Sequence, residues 1–191
     1  MRSEPETKLS RTETNAEDCR LMVAVAGGSD TAFRTLIDRY QRVLLNLFVR
    51  LGAHRDEADD AAQETFLRLH AYRKRYQPTG SFRTFLFTVA RRAWLDLCRR
   101  RERRRRREAP AQDLAGIVSD PGLSMDERLD LEASLAELSE GHRMVLVLSV
   151  FGGLRYEEVA EVMDIPEGTV KSRVFHGLRK LRARLSRDPV R

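Results

Sequence analysis

An all-α chain of two small helical domains is the architecture this sequence predicts, and three observations carry it. Apolar residues recur at helical spacing through the patterned stretches, and no run of useful length alternates with period two, so strands are not expected. The pattern stops at Glu108 and resumes at Glu127. Between them Glu108, Asp113, Asp120 and Asp126 accompany two prolines, two glycines and no basic residue, the composition of a linker. The chain has 191 residues, 41% of them hydrophobic, enough for a core on either side of that linker. The expected organisation is a disordered tail over 1–15, a first domain over 16–107, a linker over 108–126 and a second domain over 127–191.

The elements follow in order. Residues 1–15 are polar and aperiodic. A short helix from about Ala16 to Ala26 ends at Gly27-Gly28. Ser29 or Asp30 can cap a second helix, which carries Phe33, Leu36, Ile37, Tyr40, Leu44, Leu47, Phe48 and Leu51 and stops at Gly52. A third runs from about Arg55 to Arg75, and Gln77-Pro78-Thr79-Gly80-Ser81 breaks it. A fourth spans about Phe82 to Arg105. Beyond the linker, helices are expected over about Glu127–Leu138 and His142–Phe151.

The last stretch, Tyr156 to Leu185, has the pattern of a helix-turn-helix. Tyr156, Val159, Ala160 and Met163 share one face. Asp164 favours a turn, and Pro166 turns Ile165 away from helical angles while suiting the first turn of a new helix. Val170, Val174, Leu178, Leu181 and Leu185 then stay within about 80° of one another at roughly 100° per residue. The opposite face presents Thr169, Lys171, Ser172, Arg173, His176, Arg179 and Lys180. A helical hairpin with a merely solvated face would mix signs. Here every Asp, Glu, Lys or Arg from Lys171 to Arg187 is basic, whereas the preceding helix holds Glu157, Glu158 and Glu161. That asymmetry points to a polyanion, duplex DNA, beneath the second helix. The formal charge of +6 is concentrated in the same sense: Arg99 to Arg107 reads RRRERRRRR.

Two faces of the first domain stand out. On the third helix Ala58, Ala62, Phe66 and Leu69 are expected inside, with Asp56, Asp60, Gln63, Glu64 and Leu67 outside. Asp60 and Glu64, one turn apart, are thin evidence for a magnesium site without further ligands. An acidic rim around an exposed leucine reads better as a protein-docking face. On the fourth helix Phe82, Leu86, Val89, Ala93 and Leu97 form the core stripe. Beside it Arg83, Phe87, Arg91 and Trp94 interleave cations with aromatics, as a single nucleic-acid strand requires. The alternative is that Phe87 and Trp94 pack against the second helix.

Other classes lose ground. Cys19 and Cys98 are far apart and lack a CxxC or nearby His, which argues against a disulfide framework or structural zinc. No apolar leader or membrane span is visible, so the chain is expected in the cytoplasm. No nucleophile–base arrangement or cofactor motif is found.

Three segments carry a family resemblance. DEADDAAQETFLRLH resembles the core-polymerase-binding segment of bacterial sigma factors, SFRTFLFTVARRAWLDLCRRRERR the segment that reads and melts the −10 element, and LSEGHRMVLVLSVFGGLRYEEVAEVMDIPEGTVKSRVFHGLRKLRARL the −35-binding domain. The two-domain layout resembles the extracytoplasmic-function (ECF) class. The resemblance implies a non-enzymatic monomer without cofactor or metal, whose partners are core RNA polymerase and promoter DNA, with an anti-sigma protein as a further candidate. It places Asp56, Asp60, Gln63, Glu64 and Leu67 on the β′ clamp helices. Arg83, Phe87, Arg91, Arg92, Trp94 and Arg99 fall at the −10 element, together with the loop before the fourth helix. Thr169, Lys171, Ser172, Arg173, His176, Arg179 and Lys180 fall in the −35 major groove, with the second domain also touching the β flap, and the linker heads toward the RNA path. Two departures bear on −10 preference: Phe85 stands where the family usually has Trp, and Arg92 where it often has Asn. The competing class is a stand-alone helix-turn-helix regulator with a sensing or dimerising first domain; a DNA-processing enzyme would need reactive groups that are not found.

Overall fold

The computed structural model describes residues 5–106 and 125–185, all of whose regular structure is helical. Eight α-helices follow one another: α1 Pro5–Ala26, α2 Asp30–Arg50, α3 Arg55–Tyr72, α4 Phe82–Arg105, α5 Met125–Ala136, α6 Glu140–Leu146, α7 Tyr156–Met163 and α8 Glu167–Leu185. A 3-10 turn, Arg73–Arg75, extends α3, and a π-helical turn, Val147–Phe151, extends α6. Residues 107–124, most of the expected linker, lie outside the described residues, as do 1–4 of the expected tail.

The helix boundaries have local causes. Ser29 caps α2, its Oγ accepting the N–H of Ala32 at 3.2 Å. Ser81 does the same for α4 through Thr84 at 3.3 Å. Gly28 and Gly52 end α1 and α2 with φ of +96° and +98°. Asp164 ends α7 in the left-handed region, φ 55°. One boundary corrects the sequence reading: the first helix begins at Pro5, not near Ala16. Proline suits the first turn of a helix, and Asn15, Asp18 and Cys19 tie this one to the bundle by contacts that no local pattern announces.

The first domain is a bundle of α1 to α4, in which α2, α3 and α4 enclose Leu36, Leu44, Phe48, Phe66, Leu69, Phe82, Leu86, Phe87 and Trp94. In the second domain α5, α6, α7 and α8 enclose Leu135, Val145, Leu148, Val159, Val162, Val170 and Val174. Gly177 sets the approach of α6 to α8, since a Cβ there would lie 2.4 Å from Leu146 Cδ1. Two residues assigned to the apolar faces of the helix-turn-helix are only partly covered: Tyr156 is 37% exposed and Leu178 36%. Leu181, assigned to the same face, is buried, as is Gly177 beside Leu178.

The two domains touch. Helix α4 packs on α7, and α2 meets the π-helical turn. Trp94 Nε1 donates to Glu140 Oε1 at 3.3 Å, Arg143 Nη1 to Leu51 O at 2.9 Å, and Arg83 Nη2 to Gly152 O. The Arg50 guanidinium lies 4.1 Å from the centre of the Phe151 ring. Gly52 is doubly constrained, for a Cβ there would stand 3.0 Å from Arg143 Nη1. Within this contact Arg83 Nε and Arg143 Nε are buried without a hydrogen-bond partner among the described residues.

Candidate nucleic-acid and partner interfaces

The outer face of α3 forms as its spacing dictates. Ala58, Ala62, Phe66 and Leu69 are buried, which turns Asp56, Asp60 and Gln63 to solvent and leaves Leu67 66% exposed. Leu67 borders a groove of about 530 Å³ shared by Phe33, Ile37 and Gln41 of α2 with Asp59, Ala62, Gln63 and Phe66 of α3. An apolar floor with an acidic and amide rim suits a helix that brings aliphatic and basic side chains. Glu64 differs from its neighbours, because its Oε1 already accepts from Arg68 Nε at 2.6 Å. Arg68 also reaches Asp96 of α4 at 2.8 Å, and Asp96 in turn accepts from Arg99 at 3.2 Å. The outer face of α3 and the outer edge of α4 are thus joined by one line of alternating charges.

On α4 the predicted stripe divides. Arg92 and Arg99 are exposed and Arg91 half-buried. Phe87 is fully buried and Trp94 3% exposed. Trp94 stacks on Phe48 at 6.4 Å, with the Arg101 guanidinium 5.6 Å from its ring centre. The two aromatics pack inward, the alternative to a stacking stripe, and do not present a surface for bases in this arrangement. Arg83 is held by Gly152 O and lies 5.9 Å from the Tyr40 ring centre and 5.8 Å from that of Phe87. Phe85 packs among Tyr72 and Tyr76, at ring distances of 5.6 and 5.2 Å. Cys98 lies beside Glu140, and burial together with that carboxylate pushes its thiol up to about 11, so it is a poor nucleophile.

On α8 Lys171, Ser172, His176, Arg179 and Lys180 are exposed, Thr169 and Arg173 half-buried. Lys171 is paired with Glu167 at 2.7 Å. The sequence reading passed over Phe175, which is 62% exposed in the middle of this face, with the Arg179 guanidinium 6.0 Å from its ring centre. The signal was present: Phe175 is a large apolar residue about 140° away from Val170 on the helical wheel. Across from α8, His142 of α6 is held below the ordinary histidine value by burial and by Arg173, Lys180 and His176. The combination of a projecting aromatic, flanking cations and small hydroxyls can enter a major groove and touch both phosphates and thymine methyl groups.

Comparison with known proteins finds a family for both domains. Residues 36–106 match the family model of sigma-70 region 2, and residues 128–181 that of sigma-70 region 4. The RNA polymerase sigma-H factor of Pseudomonas aeruginosa is 33% identical over 174 residues, covering 85% of this chain and 90% of that protein. The ECF sigma factor SigW of Bacillus subtilis is 30% identical over 173 residues, covering 84% and 92%. Among solved structures, the sigma factor RpoE of Bartonella quintana in complex with the anti-sigma factor NepR superposes with a TM-score of 0.70 at 23% identity, over 82% of this chain and 98% of that one. That last likeness speaks to the fold.

Proposed function

This chain belongs to the ECF class of sigma-70 factors, proteins that direct transcription initiation, and from that premise we propose how its surfaces divide the work. The outer face of α3, Asp56, Asp60, Gln63 and Leu67 with the groove beside it, docks on the clamp helices of the polymerase largest subunit. The loop Gln77–Ser81 and the accessible edge of α4, with Arg91, Arg92 and Arg99, meet the −10 element. Arg83, Phe87 and Trp94 shape that surface from behind. Helix α8 enters the −35 major groove through Thr169, Lys171, Ser172, Arg173, His176, Arg179 and Lys180. Phe175 joins them as an apolar contact for a thymine methyl.

The observation that carries this assignment is the composition of the free face of α8, where exposed cations surround one exposed aromatic ring and the preceding helix is acidic. Chemistry on the nucleotides belongs to the core enzyme, so the chain works in the cytoplasm as a non-catalytic, monomeric partner of core polymerase. An anti-sigma protein that masks either interface is a natural regulator. A stand-alone regulator is disfavoured, since both halves of the chain match sigma regions.

The direct test is transcription in vitro from a promoter library with purified core polymerase. Addition of this chain should yield transcripts from a defined −35 and −10 pair. Sequence-specific binding to duplex DNA as a dimer, with no dependence on core polymerase, would overturn the assignment.

A further inference from the structure

Helix α1 lies outside the stretch that matches the region 2 family model, which begins at Leu36, yet it is bonded to the segment before α4. Asn15, Asp18 and Cys19 lie at i, i+3 and i+4, on one face of α1. Asp18, fully buried, accepts from Arg39 and from the Tyr40 hydroxyl and so fixes α1 to α2. Its two neighbours reach further. Asn15 Oδ1 accepts the backbone N–H of Phe82 at 2.8 Å. Cys19 Sγ lies 3.7 Å from Gly80 O and accepts from Tyr76 Oη at 3.4 Å. The Tyr76 ring in turn packs on Phe85 and Phe82, with centroids 5.2 and 6.4 Å away. Above these holds, residues 77–80 are all exposed. The loop is gripped from beneath and open above.

We infer that α1 is a positioning element for −10 recognition, in which Asn15 and Cys19 hold the loop 77–81 in its base-receiving shape before DNA arrives. The inference rests on the reading that this loop meets −10 bases. A loop ordered only on contact subtracts its ordering entropy from the affinity and blurs discrimination between bases. A loop pinned in advance at Phe82 and Gly80 does neither. Asn15 is well suited to the task, because the first turn of a helix offers N–H groups without intrahelical acceptors, and Phe82 N–H is one of them. The alternative is that these bonds only stabilise the bundle.

The full-length chain with core polymerase, assayed on promoters randomised across the −10 element, separates the two. Asn15→Ala should reduce open complexes on the best promoter by about three- to tenfold, the range of one deleted hydrogen bond, and flatten the −10 base preference. Core affinity and −35 preference should stay unchanged. Asn15→Asp should restore both readouts, since its carboxylate accepts the same N–H and is favoured at a helix N-terminus. Cys19→Ala, which removes the second hold, should flatten the preference in the same direction, and it provides the test if Asn15→Ala does not fold. Gln77→Ala with Thr79→Ala alters the loop itself and must shift the preference if the loop reads bases. A shift in that double variant beside wild-type preference in the folded Asn15 and Cys19 variants would overturn the inference while leaving the loop's role intact. No shift in the double variant would refute the loop's role, and the inference would fall with it.

Discussion

Trp94 of the first domain donates its indole N–H to Glu140 of the second across 3.3 Å. It is the chain's only tryptophan, so the contact between domains carries its own reporter. Glu140→Ala removes the acceptor and should shift the emission of Trp94 to longer wavelength and raise its quenching by acrylamide, with helicity unchanged. The rest of the indole packs on Phe48, so the shift should be partial. Emission and quenching identical to the parent would mean that the domains do not rest on this bond.

Asp60 is exposed and Glu64 is bonded to Arg68, so reversing the charge at each should have different effects. Asp60→Lys should cost several kcal/mol in core polymerase binding by placing like charges together. Its folding stability should stay within about 0.5 kcal/mol of the parent. Glu64→Lys should also lose stability, because it puts a cation beside Arg68. Normal assembly of a folded Asp60→Lys variant with polymerase, read by gel filtration, would count against this docking face.

The α8 face predicts two separable effects. Lys171→Ala with Arg173→Ala should weaken −35 duplex binding and reduce its log–log salt slope by about 0.9 for each phosphate that the variant no longer neutralises. Phe175→Ala should leave that slope alone and reduce discrimination for thymine at the position it touches, seen by replacing thymine with uracil in the parent complex. An unaltered slope in the double variant would show the cations to be merely solvated.

Gly52 combines a φ of +98° with a Cβ position 3.0 Å from Arg143 Nη1. Both strains oppose a side chain, so Gly52→Ala should destabilise the chain by roughly 1–2 kcal/mol. Thermal or urea unfolding reads this directly. A variant as stable as the parent would show that the turn relaxes without cost.

His142 supplies a pH dependence. Its folded value lies below the ordinary one, so the unfolded chain binds the proton more readily. Stability contributed by the neutral ring is therefore present above about pH 6.5 and declines as the pH falls through that value, levelling off below the folded pKa. His142→Gln should remove this component from the pH profile of unfolding. A profile unchanged by that substitution would refute the coupling to Arg173, Lys180 and His176.

Much of this was legible because the signals are local. Ser29, Gly52, Pro166 and the turn at Asp164 mark boundaries through their own backbone preferences, and the inward stripe of α3 turned Asp60 and Leu67 outward correctly. Phe87 and Trp94 were harder. Periodicity gives the angle of a side chain on α4 but not the width of the face that its neighbours cover, and α2, α3 and the second domain together cover more than one stripe. The length of α1 escaped for a related reason: its attachments, Asn15 to Phe82 and Cys19 to Gly80, join residues more than sixty positions apart. Phe175 was visible in the sequence, but the cations around it masked an apolar residue on the polar side.

The N–H groups of Arg83 and Arg143 that find no acceptor among the described residues have a consequence for measured affinities. Each buried, unpaired donor costs about 1–3 kcal/mol, which subtracts from what the bonds across the domain boundary contribute to the closed pairing. A partner that needs one domain alone sees only the fraction of molecules that have parted, and its apparent dissociation constant is the intrinsic one divided by that fraction. Cutting the chain between the domains should therefore make each half a tighter binder of its own target than the intact protein.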